Sequence, residues 1–219
     1  MSRAAALRRG GLGFLGVLLA FPLSAWSDDL QLDVLLKSIS HTGPSSTPFI
    51  EAHFSKLLAR PLIVGGKLEY LGPDELARSI ETPYKERTLV RGDQVTVERE
   101  GSKTRQFSLQ RAPDLKSLLS SFGALLSGNQ SGLSQQFEPQ LTGSVKDWAL
   151  TLTPRDAHIA ARIHSITVRG NGSEPRCITT LEPNDNVTIM LLGAATETEV
   201  SDQIQRSSLE TLCQQAALR

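Results

Sequence analysis

Four histidines (His41, His53, His158 and His164) and two cysteines (Cys177 and Cys213) are the side chains of this 219-residue chain best suited to metal binding or nucleophilic chemistry. Their spacing supports neither. No H-E-x-x-H places two imidazoles on one helix face with a general base between them. His158 and His164, on an expected strand pair, read as surface or satisfied core residues. Ser131 and Ser173 sit beside glycines in expected loops, and no G-x-S-x-G lifts a serine onto a strained turn. Gly11-Leu12-Gly13-Phe14-Leu15-Gly16 fits G-x-G-x-x-G but precedes any strand. It therefore lacks the strand-to-helix context in which a phosphate meets a helix N-terminus. There is no P-loop. The expectation is a non-catalytic protein with no cofactor and no metal.

That glycine run belongs to a segment with a different meaning. Arg3, Arg8 and Arg9 give a positive start, Leu12 to Leu23 is apolar, and Ser24-Ala25-Trp26-Ser27 ends in small residues before Asp28-Asp29. The apolar run is too short to span a bilayer, and Ala25 and Ser27 form a small-x-small cleavage site. The reading is a signal peptide over 1–27, leaving a single domain over 28–219. No Cys follows the apolar run, so no lipobox is expected and the product is not itself membrane-anchored. The chain has 23 Lys+Arg and 23 Asp+Glu, so losing the three signal arginines makes the product mildly acidic. That balance disfavours nucleic acid and anionic membranes as partners recognised by bulk charge. In an oxidising compartment Cys177 and Cys213 can pair, closing a loop of about 37 residues at roughly 3–4 kcal/mol. Two buried thiols are the alternative. No C-x-x-C supports redox catalysis.

The elements that would position any site are mostly strands. Leu32, Leu35, Leu36 and Ile39 recur at helical spacing behind a cap at Ser27 or Asp28, and the run His41–Pro48 ends that helix. Short segments follow: Ile50–Leu58, Leu62–Leu71, Ala77–Thr82, Thr88–Arg91, Gln94–Glu100 and Thr104–Gln110. Glycine-containing turns punctuate them. Pro113 and Asp114 start a middle helix with Leu115, Leu118, Leu119, Phe122, Leu125 and Leu126 on one side. Strands resume at Gln136–Gly143, Asp147–Leu152, Ile159–Gly170, Arg176–Leu181 and Val187–Leu192. Glu199–Leu218 reads as an amphipathic last helix carrying Cys213. The pattern is one long antiparallel meander with helices at its start, middle and end.

Phe49-Ile50-Glu51, Arg60-Pro61-Leu62, Gly66-Lys67-Leu68-Glu69-Tyr70, Pro73, Leu76, Pro83 and Leu89-Val90-Arg91-Gly92-Asp93 occur in the order found in the LolA-like family. The family comprises periplasmic carriers of outer-membrane lipoproteins. Trp148-Ala149-Leu150-Thr151-Leu152-Thr153-Pro154 is similar to its Trp-x-Leu-x-Leu-x-Pro segment, and Ile163–Gly170 with Val187–Leu192 resembles its last core hairpins. Three positions depart from the pattern. Gly72 stands for an arginine, Arg78 for a strand tryptophan, and Glu51 for the glutamine of Phe-x-Gln. The resemblance thus implies a divergent LolA-related branch, whose cargo extends to another acylated molecule such as a glycolipid or lipid-linked pigment.

What the resemblance implies is an α+β fold: an incomplete, unclosed antiparallel β-barrel with helices covering its concave face. The implied function is a periplasmic monomer that shelters acyl chains of a lipoprotein or other lipid and escorts them outward. Its partners would be an inner-membrane exporter and an outer-membrane acceptor. The implied cavity wall is Leu68, Tyr70, Phe107, Leu109, Trp148, Leu150 and Leu152, reached by Leu119 and Phe122 from the middle helix. Ordinary core packing is the alternative for each of these. A non-catalytic adaptor of an envelope assembly or lipid-export system is the alternative function.

Overall fold

The computed structural model describes residues 31–40, 43–72, 74–111 and 128–216. The signal peptide with its expected caps Ser27 and Asp28, Pro73, and the middle helix with Leu119 and Phe122 lie outside the described residues.

Eleven strands form one antiparallel sheet: β1 Ser45–Phe54, β2 Leu62–Gly72, β3 Glu75–Thr82, β4 Glu86–Arg91, β5 Gln94–Arg99, β6 Arg105–Ser108, β7 Phe137–Ser144, β8 Asp147–Pro154, β9 Ser165–Asn171, β10 Glu174–Leu181 and β11 Val187–Leu192. Their order is β6-β5-β4-β3-β2-β1-β11-β10-β9-β8-β7, with β6 and β7 as the edges among the described residues, so the barrel is not closed. The single meander expected from the sequence is instead two. β1–β6 runs one way and β7–β11 the other, and β1 pairs with β11 from Phe49↔Leu192 to Phe54↔Val187. Hairpin signals are local, and a bond between the first and last strands leaves no local trace.

Residues directly opposite across strands share a face. Phe49, Gly66, Ile80 and Leu192 fall on one face, here called inner, with Val168, Ile178, Met190, Trp148, Leu150 and Leu152. Ala52, Ile63, Cys177, Ile189 and Leu191 fall on the outer face. Each face buries its own core. Helix α1 (Leu32–Ile39) places Leu35, Leu36 and Ile39 on the inner face over Trp148, Leu150, Leu152, Ile166 and Val168. Helix α2 (Gln130–Gln136) adds Leu133 there. Its N-cap Asn129 accepts a hydrogen bond from the Gly132 N–H at 3.1 Å. Helix α3 is a single turn, Ala157–Ala160, and helix α4 is Arg206–Ala216. Helix α4 lies on the outer face, where Leu209 and Cys213 pack with Val187, Ile189 and Leu191.

Several local expectations are corrected. Helix α1 begins at Leu32, and its N-cap is Gln31 without a side-chain cap bond. Asp33 and Lys37, 3.6 Å apart, suit its two ends. Ser131 lies in α2 rather than a loop. The expected strand from Ile159 begins only at Ser165. Asp156 draws the chain into α3 by accepting from the His158 and Ile159 N–H groups at 2.8 and 3.2 Å. His158 is therefore helical and His164 precedes β9, so the two are not a strand pair. The last helix starts at Arg206, seven residues after the expected Glu199.

Trp148 is the centre of the β7–β9 core and is fully buried. Its register partners are Gly143 on β7 and Gly170 on β9. A Cβ on Gly170 would strike the Trp148 ring and the Glu174 carbonyl, so only glycine leaves room for the indole. The indole N–H donates to the Gly172 carbonyl at 2.9 Å, which removes the cost of burying it. Trp148→Ala is expected to cost about 3–5 kcal/mol in urea unfolding followed by circular dichroism. Gly170→Val should cost about 1–3 kcal/mol by forcing the ring aside.

Cys177 on β10 and Cys213 on α4 form a disulfide, Cα–Cα 5.5 Å, across a separation of 36 residues. This is the sheet-to-last-helix link expected above. Thiol labelling of the denatured, unreduced protein should find no reactive cysteine. Reduction should lower stability by roughly 3–4 kcal/mol in the same urea assay. Two labelled thiols would refute the link.

Candidate functional site

The implied wall residues divide by position. Leu68, Tyr70, Phe107, Trp148, Leu150 and Leu152 all fall on the inner face by register. The sheet does not bring them into one patch. Trp148, Leu150 and Leu152 on β8 are at most 3% exposed and packed against α1 and α2. Leu68 is half-buried on β2, beside the cluster Phe49, Val64, Ile80 and Leu192. Tyr70 is buried near the end of the same strand. Phe107 sits on edge strand β6 opposite Val95 and is 38% exposed. Leu109 has left the strand for a 3₁₀ turn, Leu109–Arg111, where it is buried and its N–H donates to the Asp93 carbonyl at 2.8 Å.

Sequence reasoning missed the centre of this face. Where β1 pairs with β11 its inner positions are Phe49, Glu51 and His53, an alternation that puts polar groups among apolar ones. Glu51 lies opposite Val64 and Met190, and Arg78 on β3 lies opposite Leu68. The Arg78 guanidinium donates through Nη2 to Glu51 Oε1 at 2.9 Å. The same group stands over the Phe49 ring, 4.9 Å from its centroid. The two side chains are 32% and 20% exposed, so the pair is largely withdrawn from water. One step along β1, His53 Nδ1 and Thr188 Oγ1 are 2.9 Å apart. Glu51 and Arg78 are two of the three departures from the family pattern, and the fold places them against each other. The signal existed as an unlike-charge pair at two unusual positions, but only the β1–β2–β3 register joins them.

In the other described ion pairs at least one partner is more exposed than Arg78, although Arg176 and Glu86 are themselves only 17% and 18% exposed. Outer-face pairs include Arg87–Glu69 at 2.7 Å and Lys67–Glu81 at 3.1 Å. The hydrogen bond from Arg91 to Glu75 holds the Glu75 carboxyl below its ordinary value and raises the Arg91 guanidinium. Lys56 does the same to the Asp185 carboxyl. Two open grooves are present. One of about 730 Å³ lies along β3–β5 and includes Ile80, Arg87 and Arg99. One of about 600 Å³ lies between the β1–β2 loop and the approach to α4, and includes Phe54, Lys56 and Arg206. None of the described wall residues lines either groove. Among the described residues no group of three or more His, Cys, Asp or Glu side chains is arranged to hold a metal. No helix among them is long and apolar enough to cross a membrane.

The family model "Outer membrane lipoprotein carrier protein LolA-like" matches residues 24–216. The chain belongs to the LolA-like family. No curated protein matches it significantly. Solved structures similar to this LolA-like chain are remote. A LolA superfamily protein from Nitrosomonas europaea is 9% identical, with 82% of this chain and 97% of that one covered and a TM-score of 0.42. The CwlD amidase from Clostridioides difficile in complex with the GerS lipoprotein gives 13%, 68%, 82% and 0.37. The MucA/MucB complex of Pseudomonas aeruginosa gives 16%, 81%, 62% and 0.32. Membership therefore rests on the family match.

A double-mutant cycle tests whether the half-buried Arg78–Glu51 pair is one unit. Arg78→Met alone strands the Glu51 carboxylate among apolar neighbours, whereas Glu51→Gln with Arg78→Met does not. The double variant should be more stable than additivity allows by about 1 kcal/mol, read from urea midpoints.

Proposed function

We propose that this LolA-like chain is an exported carrier that shelters the acyl chains of a lipoprotein or another lipid against the inner face of its open sheet. Residues 1–27 direct export and are removed after Ser27, and the remaining single domain works in the periplasm. An inner-membrane exporter loads it and an outer-membrane acceptor unloads it. The observation that carries the reading is an apolar inner face whose described cover is short helices with no disulfide to the sheet. The outer face is locked to α4 by the Cys177–Cys213 bond, but the inner face over β8 and β9 is covered by two short helices.

The magnitudes permit exchange. Leu35, Leu36 and Ile39 each contribute about 1.5–3 kcal/mol by burial. An acyl tail gains about 0.8 kcal/mol per buried CH₂, so a tail on the order of ten methylenes matches what α1 gives up. An eight-residue helix holds its shape through such packing rather than by itself, so it unravels as it leaves and does not hold a stable competing form. Cover and guest then compete for Trp148, Leu150 and Leu152, while half-buried Leu68, buried Tyr70 and edge Phe107 extend the surface. Leu109 supports that end. Competition of this kind keeps affinity low enough for release.

Protein purified from the periplasm should carry acylated species detectable by lipid mass spectrometry, and should take up a fluorescent fatty acid saturably. Leu68→Asp should weaken that uptake at least about tenfold by placing a charge on the apolar surface. Absence of both acylated species and uptake would remove the carrier reading.

A further inference from the structure

The inner face contains a feature that a purely apolar receptacle does not need. Arg78 and Glu51 bond at 2.9 Å beside Val64, Leu68 and Met190. The other described cross-strand ion pair on this face, Arg99–Glu86, is looser at 4.0 Å and lies at the groove along β3–β5. A pair so withdrawn from water returns little stability compared with apolar side chains of similar size, because desolvation offsets the attraction. Its geometry suits recognition instead. Phe49 stacking and the Glu51 bond fix the plane of the guanidinium, and that planar fork matches the paired oxygens of a carboxylate or phosphate. Arg78 is the more exposed partner, 32% against 20%, so a guest meets the cation before the anion.

We infer that Arg78, stacked on Phe49 and steadied by Glu51, receives the anionic headgroup of an amphiphile whose tail lies along the inner face. Glu51 has two roles there. It holds the guanidinium in place when the face is empty, and it competes with the incoming oxyanion so that the headgroup can leave again. The site therefore selects anionic over neutral amphiphiles of equal tail length. This rests on the carrier reading, since a headgroup site has a use only where a tail is also held.

The test uses the mature protein and three fluorescent probes with the same single tail: a fatty acid, its methyl ester and a lysophosphatidic acid. Wild type should bind at least one of the two anions roughly tenfold tighter than the ester, the range of a charge-assisted bond. A preference for the lysophosphatidic acid identifies phosphate as the recognised group, and a preference for the fatty acid identifies carboxylate; either supports the inference. Arg78→Met should bring the anion-to-ester affinity ratio close to one. Arg78→Lys should retain part of it, and Glu51→Gln should raise it severalfold by removing the competitor. The Glu51→Gln/Arg78→Met variant, which leaves no unpaired charge, provides a folded reference without the preference. Tail binding with equal affinity for all three probes overturns the inference and leaves the carrier reading standing. Binding of none of them overturns both.

Discussion

The pairing of β1 with β11 is the constraint on which the rest of the molecule depends. It joins residues such as His53 and Thr188, separated by 135 positions, and turns two hairpin ladders into one sheet. Closing so long a loop costs only slightly more entropy than closing one half as long, by about 0.6 kcal/mol. The greater cost is kinetic, because a non-local contact must form before either flanking meander has its full neighbourhood. β1 is suited to the central place. Ala52 is fully buried on the outer face and Phe49 is buried on the inner one, so the strand contributes to both cores at once.

Placing β1 and β11 in the middle leaves β6 and β7 as the edges, and this keeps the sheet open. Two faces then need covering, and the chain covers them by different means. The outer face receives α4 with a covalent bond, Leu209 and the apolar residues of the approach to it. The inner face receives α1 and α2, which are short and held by a few leucines and one isoleucine. A face closed by a disulfide is committed to structure, whereas exchange of a cover held by a small set of leucines is what the proposed carrier requires.

Much of this was legible in the sequence because strands and turns are local. Period-two runs such as Val95-Thr96-Val97-Glu98 and the glycine turns located the hairpins, and Trp148, Leu150 and Leu152 declared a shared face. Compartment chemistry located the disulfide. The illegible parts depend on single side chains or on distant register. Asp156 converts an expected strand start into a helical turn through two hydrogen bonds, and Asn129 starts α2 in a polar stretch with no helical stripe. Nothing local shows that Ile189 and Leu191 face α4 while Met190 faces away from it, since either assignment satisfies alternation. That choice follows from β11 pairing with β1.

The same dependence on register explains why Glu51 and Arg78 are informative together. Taken singly, each is a polar residue at a position where the family pattern is neutral or aromatic, and each would weaken a greasy surface. Placed against each other, they cancel in net charge while keeping a strong local field, and the apolar neighbours lower the dielectric in which that field acts. A surface pair such as Arg60–Asp202, 65% and 59% exposed, is screened by water and selects nothing. The inner pair is shielded by Val64, Leu68 and Met190, so a charge brought to it feels the guanidinium strongly and must displace Glu51 to be held. Apolar area sets how much tail the face can hold. In the proposed carrier the ion pair would set which end of an amphiphile lies over β1–β3, and so would orient a guest that dispersion alone leaves free to slide.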